Sequence, residues 1–196
     1  MKGKVIIAPV IIILTILIAS LLFTIKGPSD ASIQYFCNQK MLSWDLNIDV
    51  ENGMYKIDGE LFSTYEDDLA MTNKGGDLVR KTDDQYNFIT QNNHAIYDKD
   101  GNVLYGCNGK FKLFADSYEV VDKDGEKVAT VNFNMFDTVG VMRDNNGNII
   151  ARYDSALWRK DYIVSIYDGC TIDDESILMI FASYVSDVRA DNQNDK

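Results

Sequence analysis

Chemistry needs side chains that move protons, attack electrophiles or hold metal ions, and this chain offers few kinds of them. His94 is the only histidine, and it follows Gln91-Asn92-Asn93, a polar run that reads as loop. One imidazole alone makes neither a zinc site nor an acid–base pair. Cys37, Cys107 and Cys170 are widely spaced and include no C-x-x-C, so they encode neither a zinc site nor a disulfide scaffold. One disulfide among them stays open if the domain lies outside the cytoplasm; otherwise they read as small buried residues. A cysteine nucleophile would need a positioned base, for which His94 is the sole candidate. There is no G-x-S-x-G, no glycine-rich phosphate loop and no H-E-x-x-H. Carboxylates are abundant without any pattern that marks a catalytic pair. The sequence therefore predicts no catalytic residue, no metal and no cofactor.

Aspartate-rich turns invite a calcium reading. An EF-hand loop requires glycine at its sixth position, but counting from Asp98 that place holds Val103, and from Asp144 it holds Ile149. Asp173-Asp174-Glu175 clusters oxygens that a hard cation would accept, yet helix capping accounts for them without a metal.

The same turns describe the scaffold. Asn73-Lys74-Gly75-Gly76, Asp98-Lys99-Asp100-Gly101, Asp122-Lys123-Asp124-Gly125 and Asp144-Asn145-Asn146-Gly147 have their final glycines 25, 24 and 22 residues apart. An Asx residue followed by a glycine ready for positive φ is what a tight hairpin with a bulge requires. Alternating segments flank them, such as Ala95-Ile96-Tyr97 before Val103-Leu104-Tyr105, and Tyr118–Val121 before Lys127–Val131. Between the hairpins a second pattern recurs, in which Lys40–Asp45, Gly59–Ser63, Lys110–Phe114 and Ser155–Trp158 each carry an aromatic and lead to another strand. A meander this long curls, and closure into a barrel removes its edges.

The end of the chain changes period. Asp173-Asp174-Glu175 supplies an N-cap and an acidic first turn, Ile177–Val185 is apolar on nearly every side, and Arg189 is placed in the last turn. Only Ser176, Ser183 and Asp187 form a narrow polar stripe. A helix apolar all round is buried, and 10–14 such residues are too few to span a bilayer. It is expected to fill the barrel.

The run Gly109-Lys110-Phe111…Tyr118-Glu119-Val120-Val121-Asp122-Lys123-Asp124-Gly125-Glu126-Lys127-Val128-Ala129 resembles the repeat of the LURP-one-related proteins. These are a branch of the tubby C-terminal-like superfamily, which also contains the phospholipid scramblases. The ending, Leu157-Trp158-Arg159-Lys160-Asp161-Tyr162 followed by Asp174 and Ile177–Asp187, is similar to that family's last strands and terminal helix. The resemblance covers residues 33–190 and rests on the order and spacing of the motifs. It implies a mainly β fold: a closed antiparallel barrel of about 12 strands around a C-terminal hydrophobic helix at about 174–189. The chain departs from the family pattern at its N-terminus and at Asn87–Asn93.

That N-terminus reads as an anchor. Val5–Ile25 holds no ionisable side chain, and 15 of its 21 residues are Val, Ile, Leu or Phe. As a helix it would be roughly 32 Å long, matched to a hydrocarbon core of about 30 Å. A cleaved signal peptide has a shorter apolar region, so retention is the expectation, although Ser29-Asp30-Ala31 offers small residues for cleavage. Lys2 and Lys4 precede the span and Lys26 follows it, which keeps residues 1–4 in the cytoplasm and sends the domain across. Residues 26–32 form a linker, and 191–196 a polar tail.

Residues 29–196 hold all 30 acidic residues and 16 of the 19 basic ones, a net charge of −14. Such a field repels nucleic-acid phosphates and anionic headgroups, so nucleic acid is excluded as a partner. Two functional readings follow. The first is a membrane-anchored, non-catalytic binding or scaffold domain with a protein partner. The alternative is phospholipid binding, by analogy with the tubby and scramblase relatives. For that reading Arg159 and Lys160 are the candidate lipid-binding residues, and Arg80-Lys81 is the other adjacent basic pair, both pairs otherwise being solvated surface.

Overall fold

Asn73, Asp98, Asp122 and Asp144 do the same work four times. In each case the side-chain Oδ1 accepts the N–H groups two and four residues on, at 2.8–3.0 Å. The glycine three residues on adopts φ of 82–87°. This Asx geometry satisfies the turn's own amides and sets the register of the hairpin. In each of these four hairpins the outgoing strand then carries one extra residue at the same offset: Val79, Leu104, Val128 and Ile150 lie where the pairing shifts. The bulges add twist and curl the sheet.

Hydrogen bonds to Asn102 come first among the causes that hold the Asp98 carboxyl below its ordinary pKa, as bonds to Asn148 do for Asp144. The stabilisation from such depressed carboxyls is present above the unfolded carboxylate pKa and is lost as pH falls through the folded one. A carboxyl-detected NMR titration is expected to find both midpoints below that of a model aspartate.

The computed structural model describes residues 27–40, 46–59, 69–84, 93–110, 117–156 and 161–194. Twelve strands run in chain order: β1 (Ile33–Gln39), β2 (Asn47–Val50), β3 (Tyr55–Gly59), β4 (Leu69–Asn73), β5 (Leu78–Asp84), β6 (Asn93–Asp98), β7 (Val103–Lys110), β8 (Ser117–Asp122), β9 (Lys127–Phe133), β10 (Val139–Asp144), β11 (Ile149–Ser155) and β12 (Tyr162–Ile166). Each pairs antiparallel with its neighbour in sequence, and β1 pairs with β12, so the meander closes into a barrel without a free edge. The Asx turns all lie at one pole. The turn between β9 and β10 lies at the other.

One helix, α1 (Asp174–Asn194), follows β12. Asp173 caps it, accepting the Ser176 N–H at 2.9 Å and the Ser176 hydroxyl at 2.8 Å. Every residue from Ile177 to Tyr184 is buried, whichever way it points. Only a helix threaded through the barrel can be covered on all sides, as its apolar circumference requires. The helix continues past about 189, where the sequence alone ends it, so Arg189 is not in the last turn. No glycine or proline follows Arg189 to stop it.

Phe133 on β9 stacks on Tyr184 of the helix, with ring centroids 3.3 Å apart, and sits edge-on to Tyr118, Tyr153 and Phe181. Gly140 on β10 is its cross-strand partner. A Cβ there would lie 2.5 Å from the Phe133 ring, which the surrounding rings prevent from moving aside. Gly140→Ala is therefore expected to destabilise the domain by about 1–3 kcal/mol, the range for overpacking, as read from urea unfolding.

The anchor at 5–25, Arg159 and Lys160, and most of the aromatic inter-hairpin segments fall outside the described residues. Among the described residues no helix is long and apolar enough to cross a membrane.

Candidate functional site

Helix α1 carries its polar residues to two places. Near its start, Arg80 of β5 reaches Asp173 at 3.0 Å, with its Nε 3.5 Å from the Ser176 hydroxyl. Tyr35 donates to Asp174 at 2.6 Å and Tyr55 to Glu175 at 2.9 Å. Burial, followed by the Asp174 carboxylate, raises the Tyr35 hydroxyl, and burial followed by Glu175 pushes Tyr55 up to about 12. Both phenols therefore stay protonated donors at neutral pH. The group of three acids marked in the sequence is thus occupied by a cap, two phenols and a guanidinium.

Arg80 and Lys81 do not form a basic patch. Alternation along β5 sends Arg80 inward to the helix, while Lys81 stays outside, 5.4 Å above the Tyr97 ring. The reading of Arg80 as solvated surface is corrected on this point.

Further along the helix, Asp187 meets the barrel wall. His94 Nε2 lies 3.0 Å from Asp187 Oδ2, and the Tyr118 hydroxyl donates to the same oxygen. His94 is not in a loop: it sits on β6, almost wholly buried. The polar run before it disguised a strand whose inward position is matched by a carboxylate 93 residues away. The cross-strand partner of His94 is Cys107, also buried. A thiol, an imidazole and a carboxylate thus come together, the one constellation the sequence left open for nucleophilic catalysis. Its chemistry is poor. Burial first, and then the Asp187 charge, push the Cys107 thiol up to about 12, so the attacking thiolate is suppressed at neutral pH. The cluster has the features of a buried hydrogen-bonded network that fixes the helix against β6 and β8.

All three cysteines are free, Cys37 and Cys107 buried and Cys170 partly exposed. Maleimide labelling followed by mass spectrometry is expected to modify Cys170 alone in the folded protein, and all three after denaturation.

What the barrel offers outward is different. The turn between β9 and β10, Asn134-Met135-Phe136-Asp137-Thr138, leaves Met135 and Phe136 each 64 % exposed. The turn is fixed from beneath. Asn134 Oδ1 accepts the Thr138 N–H at 2.9 Å, Ser155 donates its N–H to Thr138 O at 2.8 Å, and Tyr184 of the helix donates to the Asp137 carboxylate. Asp137 holds a φ of 54°, a strain that those bonds maintain. Two large apolar side chains held in solvent on a hydrogen-bonded turn make this a candidate contact surface. Sequence reasoning missed them, since an apolar pair inside a turn carries no periodic signal. Ala156 and Asp161, the described residues on either side of Arg159 and Lys160, lie at the same pole.

No family model matches the chain, and no curated protein or solved structure matches it either.

Proposed function

We propose that this protein is a membrane-anchored, non-catalytic binding domain of tubby C-terminal-like architecture, which presents the Met135–Phe136 pole to a protein partner. The anchor is the apolar segment 5–25, with the domain on the extracytoplasmic side. The observation that carries the reading is the division of side chains. Those with chemistry, His94, Cys107 and Asp187, are turned in upon the helix, while a braced turn holds Met135 and Phe136 in solvent. The tubby-like assignment is supported by the closed twelve-strand meander around a terminal helix, together with the motif order in the sequence. Fold alone does not name a ligand. Phospholipid binding remains the rival reading through Arg159 and Lys160, and the acidic charge of the domain weighs against it.

The full chain in phosphatidylcholine nanodiscs, mixed with phosphatidylserine vesicles, separates the two. The binding-domain reading predicts no vesicle capture. It also predicts a discrete protein adduct when a photocrosslinker at position 135 is activated in the native membrane, weakened by Phe136→Ser. Vesicle capture lost in Arg159→Ala/Lys160→Ala would replace it with the lipid reading.

A further inference from the structure

The described chain begins on the side wall of the barrel, not at a pole. Ser32 donates its N–H to Ile166 O at 2.9 Å and its hydroxyl to Asp168 at 2.6 Å, which pins the start of β1. The chain before it reverses direction through a turn at Ser29-Asp30. Gly27 then lies against the outer face of the β1–β12 pair, where a Cβ would stand 3.0 Å from Gln34 and 3.2 Å from Ile163. Gln34 donates its amide to Pro28 O across the same seam. Ser165 lies on the outer face by alternation with Val164 and Ile166, the cross-strand partner of Gln34, yet has no exposed surface. Burial, and then the Asp30 carboxylate of the same turn, raise the Tyr167 hydroxyl. Beside the strap Phe36, the cross-strand partner of Ile163 on the outer face, is 41 % exposed.

We infer that the β1–β12 wall rests on the bilayer that holds the N-terminal anchor, with Phe36 in contact with its interfacial lipid. The inference rests on the anchor reading above and adds an orientation to it. The apolar segment ends at Ile25, two residues before Gly27, so the bilayer cannot be far from the place where Gly27 touches the wall. Phe36 lies two residues beyond Gln34 on the same strand face, about 7 Å further along. An aromatic ring at that distance from the exit of a span sits where aromatic side chains favour the headgroup region. The acidic Asx turns are then turned aside from the lipid, and the Met135–Phe136 turn is left free for its partner.

The test uses the full chain in phosphatidylcholine liposomes containing a trace of radiolabelled phosphatidylcholine. A benzophenone amino acid replaces Phe36 in one variant and Phe136 in the other. Several-fold more labelled lipid adduct at position 36 than at 136 is the expected result. Equal or greater labelling at 136, or none at either position in chains that resist alkaline carbonate extraction, overturns the orientation and leaves the anchor standing. Chains released by carbonate overturn the anchor reading itself.

Discussion

Phe181→Ala is expected to lower the stability of the barrel by about 3–5 kcal/mol, the usual cost of deleting a fully buried aromatic ring. For a domain of this size that corresponds to a fall in Tm of roughly 6–20 °C. Phe181 has no exposed surface and packs between Phe133 at 6.2 Å and Tyr153 at 5.8 Å, so three elements lose contacts together. A barrel closed by hydrogen bonds cannot collapse onto the void as a loose helical core would, and the cavity persists. Thermal unfolding followed by near-ultraviolet circular dichroism gives the shift directly. A fall of less than a degree would mean that the helix does not lie inside the barrel, and would undo the fold described above.

Asp187→Ala is expected to cost about as much, roughly 3–5 kcal/mol, because one deletion removes the buried carboxylate to which two groups turn. His94 and the Tyr118 hydroxyl both turn to Asp187 Oδ2, and the side chains of His94 and Asp187 are 2 % and 10 % exposed. Asp187→Asn keeps an acceptor oxygen and is expected to cost less. The comparison separates structure from chemistry. If both variants unfold at the wild-type temperature, the carboxylate is not holding the helix, and the Cys107–His94–Asp187 arrangement becomes a candidate for catalysis again.

The parts of this fold visible in the sequence were those with a local cause. An Asx residue and a glycine three positions on are enough to specify each of the four pole turns. Apolar residues on every side of a short helix are enough to place it in an interior. What escaped notice depends on partners remote in sequence. His94 reads as loop because its justification, Asp187, comes from another element. Arg80 reads as surface until Asp173 and the inward side of β5 are known. Met135 and Phe136 resemble stray hydrophobics, and only the bonds from Asn134, Ser155 and Tyr184 show that the turn is built to hold them out.

The position of α1 in the chain also governs the order in which the protein can be made. Its core filling is synthesised last, after all twelve strands, and β1 can reach β12 only when most of the chain has emerged. Until then a growing barrel exposes the inner faces of its strands, with long-range pairings still unformed and loop-closure entropy still to be overcome. Nascent chains in that condition are prone to association through their open edges. Residues 174–194 therefore act as a completion signal: a chain cut short before them is predicted to be a ligand for holdases and proteases rather than a partly working domain.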